Sequence, residues 1–127
     1  MKKLFVLLLL VLSSCFQAQT KQSITGKWLL AKVIKVDGIS ASKLKAGKQA
    51  LERNVILSFN ENGTFQSTAF SNKEVKNWIF QKKTRTISIK GKNEKLKVKI
   101  LNFKPERMRV KMQLSQSVVG EFLLEKN

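Results

Sequence analysis

Apolar and polar residues alternate through most of the chain after Ile24, and this alternation constrains the fold more than any other feature. In RMRVKMQL at 107–114, every second side chain is apolar and those between are charged or polar. A period of two is the repeat of a β-strand with one buried and one solvated face. The pattern recurs at 55–59, 86–90 and 96–100. The chain is therefore predicted to be all-β, with antiparallel strands.

Turn-forming residues separate these segments at short intervals. Asn62-Gly63 is a strong hairpin signal, because both residues tolerate the positive φ of a tight turn. Pro105, the only proline, favours a turn and has no N–H to donate to a neighbouring strand. We predict eight strands, at 24–36, 54–60, 64–70, 76–81, 85–90, 95–103, 107–114 and 118–125. Hairpin-length links between eight antiparallel strands favour an up-and-down β-barrel, because closure removes exposed edges.

One connection is too long for a hairpin. Residues 37–53 separate the first two strands. Ser42 could cap a short helix there, with Leu44 and Leu51 on one side, although Gly47 weakens that helix. Such a helix either plugs one end of the barrel or forms a lid over a cavity, and both interpretations stay open.

Residues 1–19 are predicted to be an export signal. Lys2 and Lys3 precede an apolar run at 4–12, which is too short to span a bilayer as a helix and is typical of a signal core. The run ends in Leu12-Ser13-Ser14-Cys15, which resembles the lipobox of bacterial lipoproteins. In that family the protein is cleaved before the cysteine, and acyl chains on the cysteine hold it to a membrane. We therefore expect a membrane-anchored lipoprotein of the bacterial envelope.

Two other interpretations of the leader stay open. Ordinary signal peptidase could cleave after Ala18 or Gln19, or Cys15 could be incidental, and the protein would then be secreted or periplasmic. In each case the remainder, 20–127, is one domain. It has no structural disulfide, because residues 16–127 contain no cysteine.

Gly26-Lys27-Trp28 opens the first predicted strand and is similar to the Gly-x-Trp signature of lipocalins and related calycins. In that family the tryptophan packs across the closed end of an eight-stranded barrel, the glycine relieves crowding, and a long first loop covers the open end. The resemblance implies these roles for Trp28, Gly26 and 37–53. There are departures: the chain has no tyrosine, and only Lys126 could replace the arginine that stacks on the tryptophan. The nearer match is the reduced lipocalin-like domain of exported bacterial proteins.

The composition argues against catalysis. The chain has no histidine and a single aspartate, Asp37, and the domain has no cysteine. Ser-His-Asp triads and most metal sites require these residue types. We therefore expect a protein that is not an enzyme and that uses no cofactor, metal ion or catalytic residue.

An eight-stranded barrel is wide enough either to be filled by side chains or to hold one small ligand. The large side chains expected to point inward are the candidate ligand-binding residues. They are Trp28, Phe59, Phe65, Trp78, Met108, Met112 and Phe122. The first hypothesis is a cell-envelope, lipocalin-like protein that binds a small hydrophobic or amphipathic ligand in its barrel.

The charge of the chain supports a second hypothesis. Lys and Arg number 25 against 8 Asp and Glu, for a formal net charge of +17. Such a field attracts anionic surfaces non-specifically. The alternative is a solid-barrel envelope interaction protein whose lysine-rich surface docks anionic polymers, lipid headgroups or a protein partner. A solvated lysine surface is the simpler interpretation, nucleic acid is not expected as a partner, and we expect a monomer.

Replacing the leader cysteine tests the anchor. The Cys15→Ser variant is expected to lose acyl labelling and to leave the membrane fraction, because no other residue of the lipobox carries a thiol. Metabolic labelling with a tagged fatty acid, followed by fractionation, measures both effects. Labelling that persists in the variant would show that the lipobox interpretation is wrong.

Overall fold

The computed structural model describes residues 21–69, 76–92 and 94–127. The described residues form eight strands and two helices. The strands are β1 Gly26–Asp37, β2 Ile56–Phe59, β3 Thr64–Ser67, β4 Lys76–Gln81, β5 Thr86–Lys90, β6 Lys95–Lys104, β7 Arg107–Gln113 and β8 Val119–Lys126. The helices are α1 Lys21–Ile24 and α2 Ala41–Leu51. All strand pairs are antiparallel and follow the sequence order. β8 also pairs with β1, so the predicted eight-stranded up-and-down barrel, with a helix between strands 1 and 2, is confirmed.

The barrel closes along a long seam between β1 and β8. Their register runs from Trp28 opposite Lys126 to Asp37 opposite Val119, with two irregularities in β1. Bulges of this kind bend a strand and help a sheet to close. The sheet and its core lie within Lys21–Asn127. Segment 20–127 therefore contains all eight strands of the closed sheet and the core cluster inside it.

Burial follows the alternation seen in the sequence. In β7, Met108, Val110 and Met112 are buried and the residues between them are exposed. Buried apolar side chains from all eight strands join in one cluster inside the barrel. Leu114, which continues the alternation, is instead 50% exposed, because β7 ends at Gln113 and the chain leaves the sheet there.

The structure corrects the predicted helix cap. α2 begins at Ala41, so its cap is Ser40 and not Ser42. The Ser40 hydroxyl accepts a hydrogen bond from the backbone N–H of Lys43 at 3.3 Å, which satisfies one free donor of the first turn. The short helix α1 was not predicted. The leader with Cys15 and residue 70 fall outside the described residues. The strand predicted at 64–70 is too long, because β3 ends at Ser67 and a turn follows at 68–69.

The two ends of the barrel differ. The end at which β1 begins is called the closed end, and it carries α1 and the turns at 60–63, 82–85 and 105–106. The end at which β1 finishes is called the open end, and it carries α2 and the connection at 114–118. This division determines where space for a ligand can remain.

Gly38 tests the packing of the open end. It has a φ of +94°, and a Cβ there would lie 2.0 Å from the carbonyl oxygen of Ser117. The Gly38→Ala variant is expected to lower the free energy of unfolding by more than about 2 kcal/mol, measured by urea denaturation of segment 20–127.

Gly63 provides the matched control. It has a similar φ of +90°, but nothing lies within 4 Å of its Cβ position. Gly63→Ala should therefore cost only about 1 kcal/mol, from backbone strain alone. Equal losses in the two variants would show that the Ser117 contact contributes nothing.

Candidate ligand-binding site

Trp28 fills the closed end of the barrel. Its side chain is completely buried, and its Nε1 donates a hydrogen bond to the carbonyl oxygen of Ile24 at 2.7 Å. Ile24, the last residue of α1, is itself fully buried. The ring of Phe103 lies beside the indole, with 6.3 Å between centroids. α1 thus supplies both the acceptor for the indole N–H and an apolar side chain that seals the end.

Lys126 lies over the ring of this tryptophan. Its Nζ is 4.8 Å from the centroid of the Trp28 ring and donates to the carbonyl oxygen of Thr25 at 2.9 Å. A cation over an indole face is attracted by the ring quadrupole. Gly26, with a φ of +131°, leaves room for it, since a Cβ there would lie 3.1 Å from Lys126 Cε. Lys126 therefore stacks on Trp28, as a substitute for an arginine at this place would.

A second aromatic group fills the middle of the barrel. The Phe59 ring lies 5.1 Å from that of Phe65 and 5.3 Å from that of Trp78. Trp78 Nε1 donates to the carbonyl oxygen of Asn60 at 2.9 Å. Phe59, Trp78 and Met108 are almost completely buried against other side chains. Together with Trp28, they fill the half of the barrel next to the closed end with side chains, and this half is called the solid half.

The open end contains an apolar cavity of about 110 Å³. Its wall is formed by side chains from seven strands or their flanking residues and by the end of α2. Three of the seven candidate ligand-binding residues line it, namely Phe65, Met112 and Phe122. The other four, Trp28, Phe59, Trp78 and Met108, do not line it and lie in the solid half. Apart from Ser67, all the lining side chains are apolar.

Helix α2 borders this cavity. Its Leu51 is part of the lining, and Leu44 packs against the core cluster. Beyond the helix, the Glu52 carboxylate accepts a hydrogen bond from the backbone N–H of Val33 at 3.0 Å. Arg53, with a φ of +64°, donates its backbone N–H to the carbonyl oxygen of Leu30 at 2.7 Å. No residue of α2 is fully buried, and this position fits both a plug and a lid.

A polar cleft adjoins the cavity. Lys76 is only 8% exposed, and its Nζ lies 2.7 Å from a carboxylate oxygen of Glu94. The cleft, of about 390 Å³, shares Phe65 and Leu96 with the apolar cavity. Sequence reasoning missed this lysine, although a signal was present: in the alternation of β4, Lys76 falls on the same face as Trp78.

Other kinds of site were sought in the described part of the chain. No group of three or more His, Cys, Asp or Glu residues there is close enough to hold a metal ion. None of the helices in that part is both long enough and apolar enough to cross a membrane. Comparisons with protein-family models, curated proteins and solved structures found no match. The barrel, its cavity and its surface charge are therefore the observations from which function must be argued.

The lysine over Trp28 yields a stability prediction. Lys126→Met removes the cation and is expected to lower the free energy of unfolding by about 1 kcal/mol. Lys126→Arg should retain most of that free energy, because a guanidinium also stacks on an indole. Urea denaturation of both variants measures the difference.

Lys104→Met is the control, since Lys104 is exposed at the same end of the barrel. It should change the free energy by less than about 0.5 kcal/mol. A loss as large as that of Lys126→Met would mean that the contact with Trp28 is not stabilising.

Proposed function

We propose that this protein is a lipocalin-like binding protein of the bacterial envelope. In this proposal it carries a lipid anchor at Cys15 and holds a small apolar molecule, or the apolar part of an amphipathic one, at the open end of its barrel. The observation that carries the proposal is the cavity lined by Phe65, Met112 and Phe122. Apolar walls around a preformed space, with few polar groups, are typical of small-molecule sites.

The size of the cavity limits the ligand. Pockets for drug-sized molecules have volumes of roughly 300–1,000 Å³. An engineered apolar cavity of about 150 Å³ is large enough for benzene. A cavity of about 110 Å³ therefore suits one small ring or a short branched chain. A bulkier group would require α2, none of whose residues is fully buried, to move outward.

The cleft beside the cavity suits the polar end of an amphipathic ligand. A molecule with its apolar part against Phe65 and Leu96 would place its polar end in that cleft, near the ion pair of Lys76 and Glu94. The proposed activity is binding without a chemical step. The lack of histidine in the sequence supports this part of the proposal.

Filling the cavity tests the proposal. Ser67 is buried and lines the cavity, so the ring introduced by Ser67→Phe would occupy the space. Toluene and sodium octanoate serve as small apolar and amphipathic probes in a ¹H–¹⁵N NMR titration of segment 20–127. The native protein should show saturable shifts around Phe65 and Met112, and Ser67→Phe should weaken binding at least about tenfold.

Gln66→Phe is the matched control. It adds the same ring at the neighbouring residue of β3, whose side chain is exposed on the outside of the barrel. This variant should bind both probes as the native protein does. Equal weakening by the two variants, or no saturable shift at the open end of the native protein, would contradict the proposal.

A further inference from the structure

Five lysines gather on the outside of β5, β6 and β7. They are Lys90, Lys95, Lys97, Lys99 and Lys111, here called the lysine face, and all are exposed. Lys90 lies directly opposite Lys95, and Lys99 lies directly opposite Lys111. Like charges that face each other across neighbouring strands destabilise a sheet. The fold itself therefore gains nothing from this arrangement.

In the strand register, Lys111 is the one member of the lysine face that lies opposite a carboxylate, and that carboxylate, of Glu121, forms an ion pair with Arg109. Lys99 lies opposite Thr86 of β5 on one side and opposite Lys111 of β7 on the other. Lys97 lies opposite Ser88 of β5. Within the described ranges, the ion pairs shorter than 4 Å involve other basic residues. A surface groove of about 440 Å³ runs among Lys95, Lys97, Lys99 and Lys111. The ammonium groups thus surround a space that an anionic group can enter.

Ion pairs join β7 to β8, next to the lysine face. Arg109 lies 2.6 Å from a carboxylate oxygen of Glu121, and Arg107 lies 3.9 Å from one of Glu125. The hydrogen bond from Arg109 holds the pKa of Glu121 below its usual value, so this carboxylate stays ionised. The lysines of β5 and β6, by contrast, form no ion pair of this kind among the described residues.

Exposed apolar side chains border the lysine face. Ile79 of β4 is 57% exposed and lies opposite Ser88, which in turn lies opposite Lys97. Leu101 of β6, beyond Lys99, is 36% exposed. Attraction of basic residues to anionic lipid, together with burial of nearby apolar groups, is what binds proteins to membrane surfaces.

We infer that the lysine face docks the barrel onto the surface of a membrane that contains anionic phospholipid, with Ile79 and Leu101 entering the headgroup region. Lysine suits this partner because its ammonium is a compact point charge that needs no bidentate geometry. The outward side chains of β5, β6 and β7 include no aromatic residue, so they offer no platform for stacking nucleic-acid bases. A soluble polyanionic chain has no apolar layer, so Ile79 would remain exposed to water when such a chain bound to the lysine face. The inference depends neither on the cavity nor on the lipid anchor.

Vesicle co-sedimentation of segment 20–127, which carries no acyl chain, tests the inference. The segment should bind vesicles of phosphatidylcholine that contain about one-third phosphatidylglycerol, and it should not bind vesicles of phosphatidylcholine alone. Combining Lys97→Gln, Lys99→Gln and Lys111→Gln should reduce the binding constant at least about tenfold. If that triple variant does not fold, the single variant Lys97→Gln should still reduce binding about threefold. Ile79→Ser, which leaves the net charge unchanged, should also weaken binding.

The control removes the same charge elsewhere. Lys27→Gln, Lys32→Gln and Lys45→Gln change three exposed lysines on β1 and α2, away from the lysine face. This triple variant should bind within about twofold of the native segment. Equal losses in the two triple variants, or binding to neutral vesicles, would overturn the inference. Binding to dextran sulfate without binding to anionic vesicles would also overturn it and would identify a polyanionic chain as the partner.

Discussion

The pairing of β1 with β8 around Trp28 is the contact on which the rest of the barrel depends. At Trp28, β1 lies opposite Leu57 of β2 on one side and Lys126 of β8 on the other. Without the second pairing, the sheet would have two long unpaired edges. The indole then fills the end that this pairing creates, held by the carbonyl of Ile24. Since that end is solid, the space for a ligand lies at the opposite end.

The alternation of the sequence was sufficient to predict the strands, because a barrel has one apolar inside and one solvated outside. In β7 every inward and outward residue follows it. α1 could not be predicted in this way, because four residues are too few to show a helical period. Ile24 and Trp28 are only four residues apart, but the hydrogen bond between them joins a helix to a strand and leaves no mark in the alternation. The helix cap was misplaced because Ser40 and Ser42 are equivalent as cap residues and only the backbone distinguishes them.

The candidate site was predicted in part, for a similar reason. Alternation tells which side chains point inward but not how far along the barrel axis each one lies. Phe59 and Phe65 therefore look alike in the sequence, yet only Phe65 reaches the cavity. Lys76 was overlooked because a lysine is usually read as exposed, although its place in the alternation is an inward one. The lysine face needed the strand register, which determines that Lys99 meets Lys111.

The division of the barrel into a solid half and a half with a cavity has a consequence for its evolution. The contacts around Trp28 and Lys126 share no residue with the lining of the cavity, although Leu30 and Phe122, farther along the same seam, belong to that lining. Substitutions at well-separated positions have nearly additive effects on stability. Changes at Met112 can therefore reshape the cavity while the contacts at Trp28 stay intact. A lineage with this barrel can change the shape of its cavity without first having to find a new way to fold.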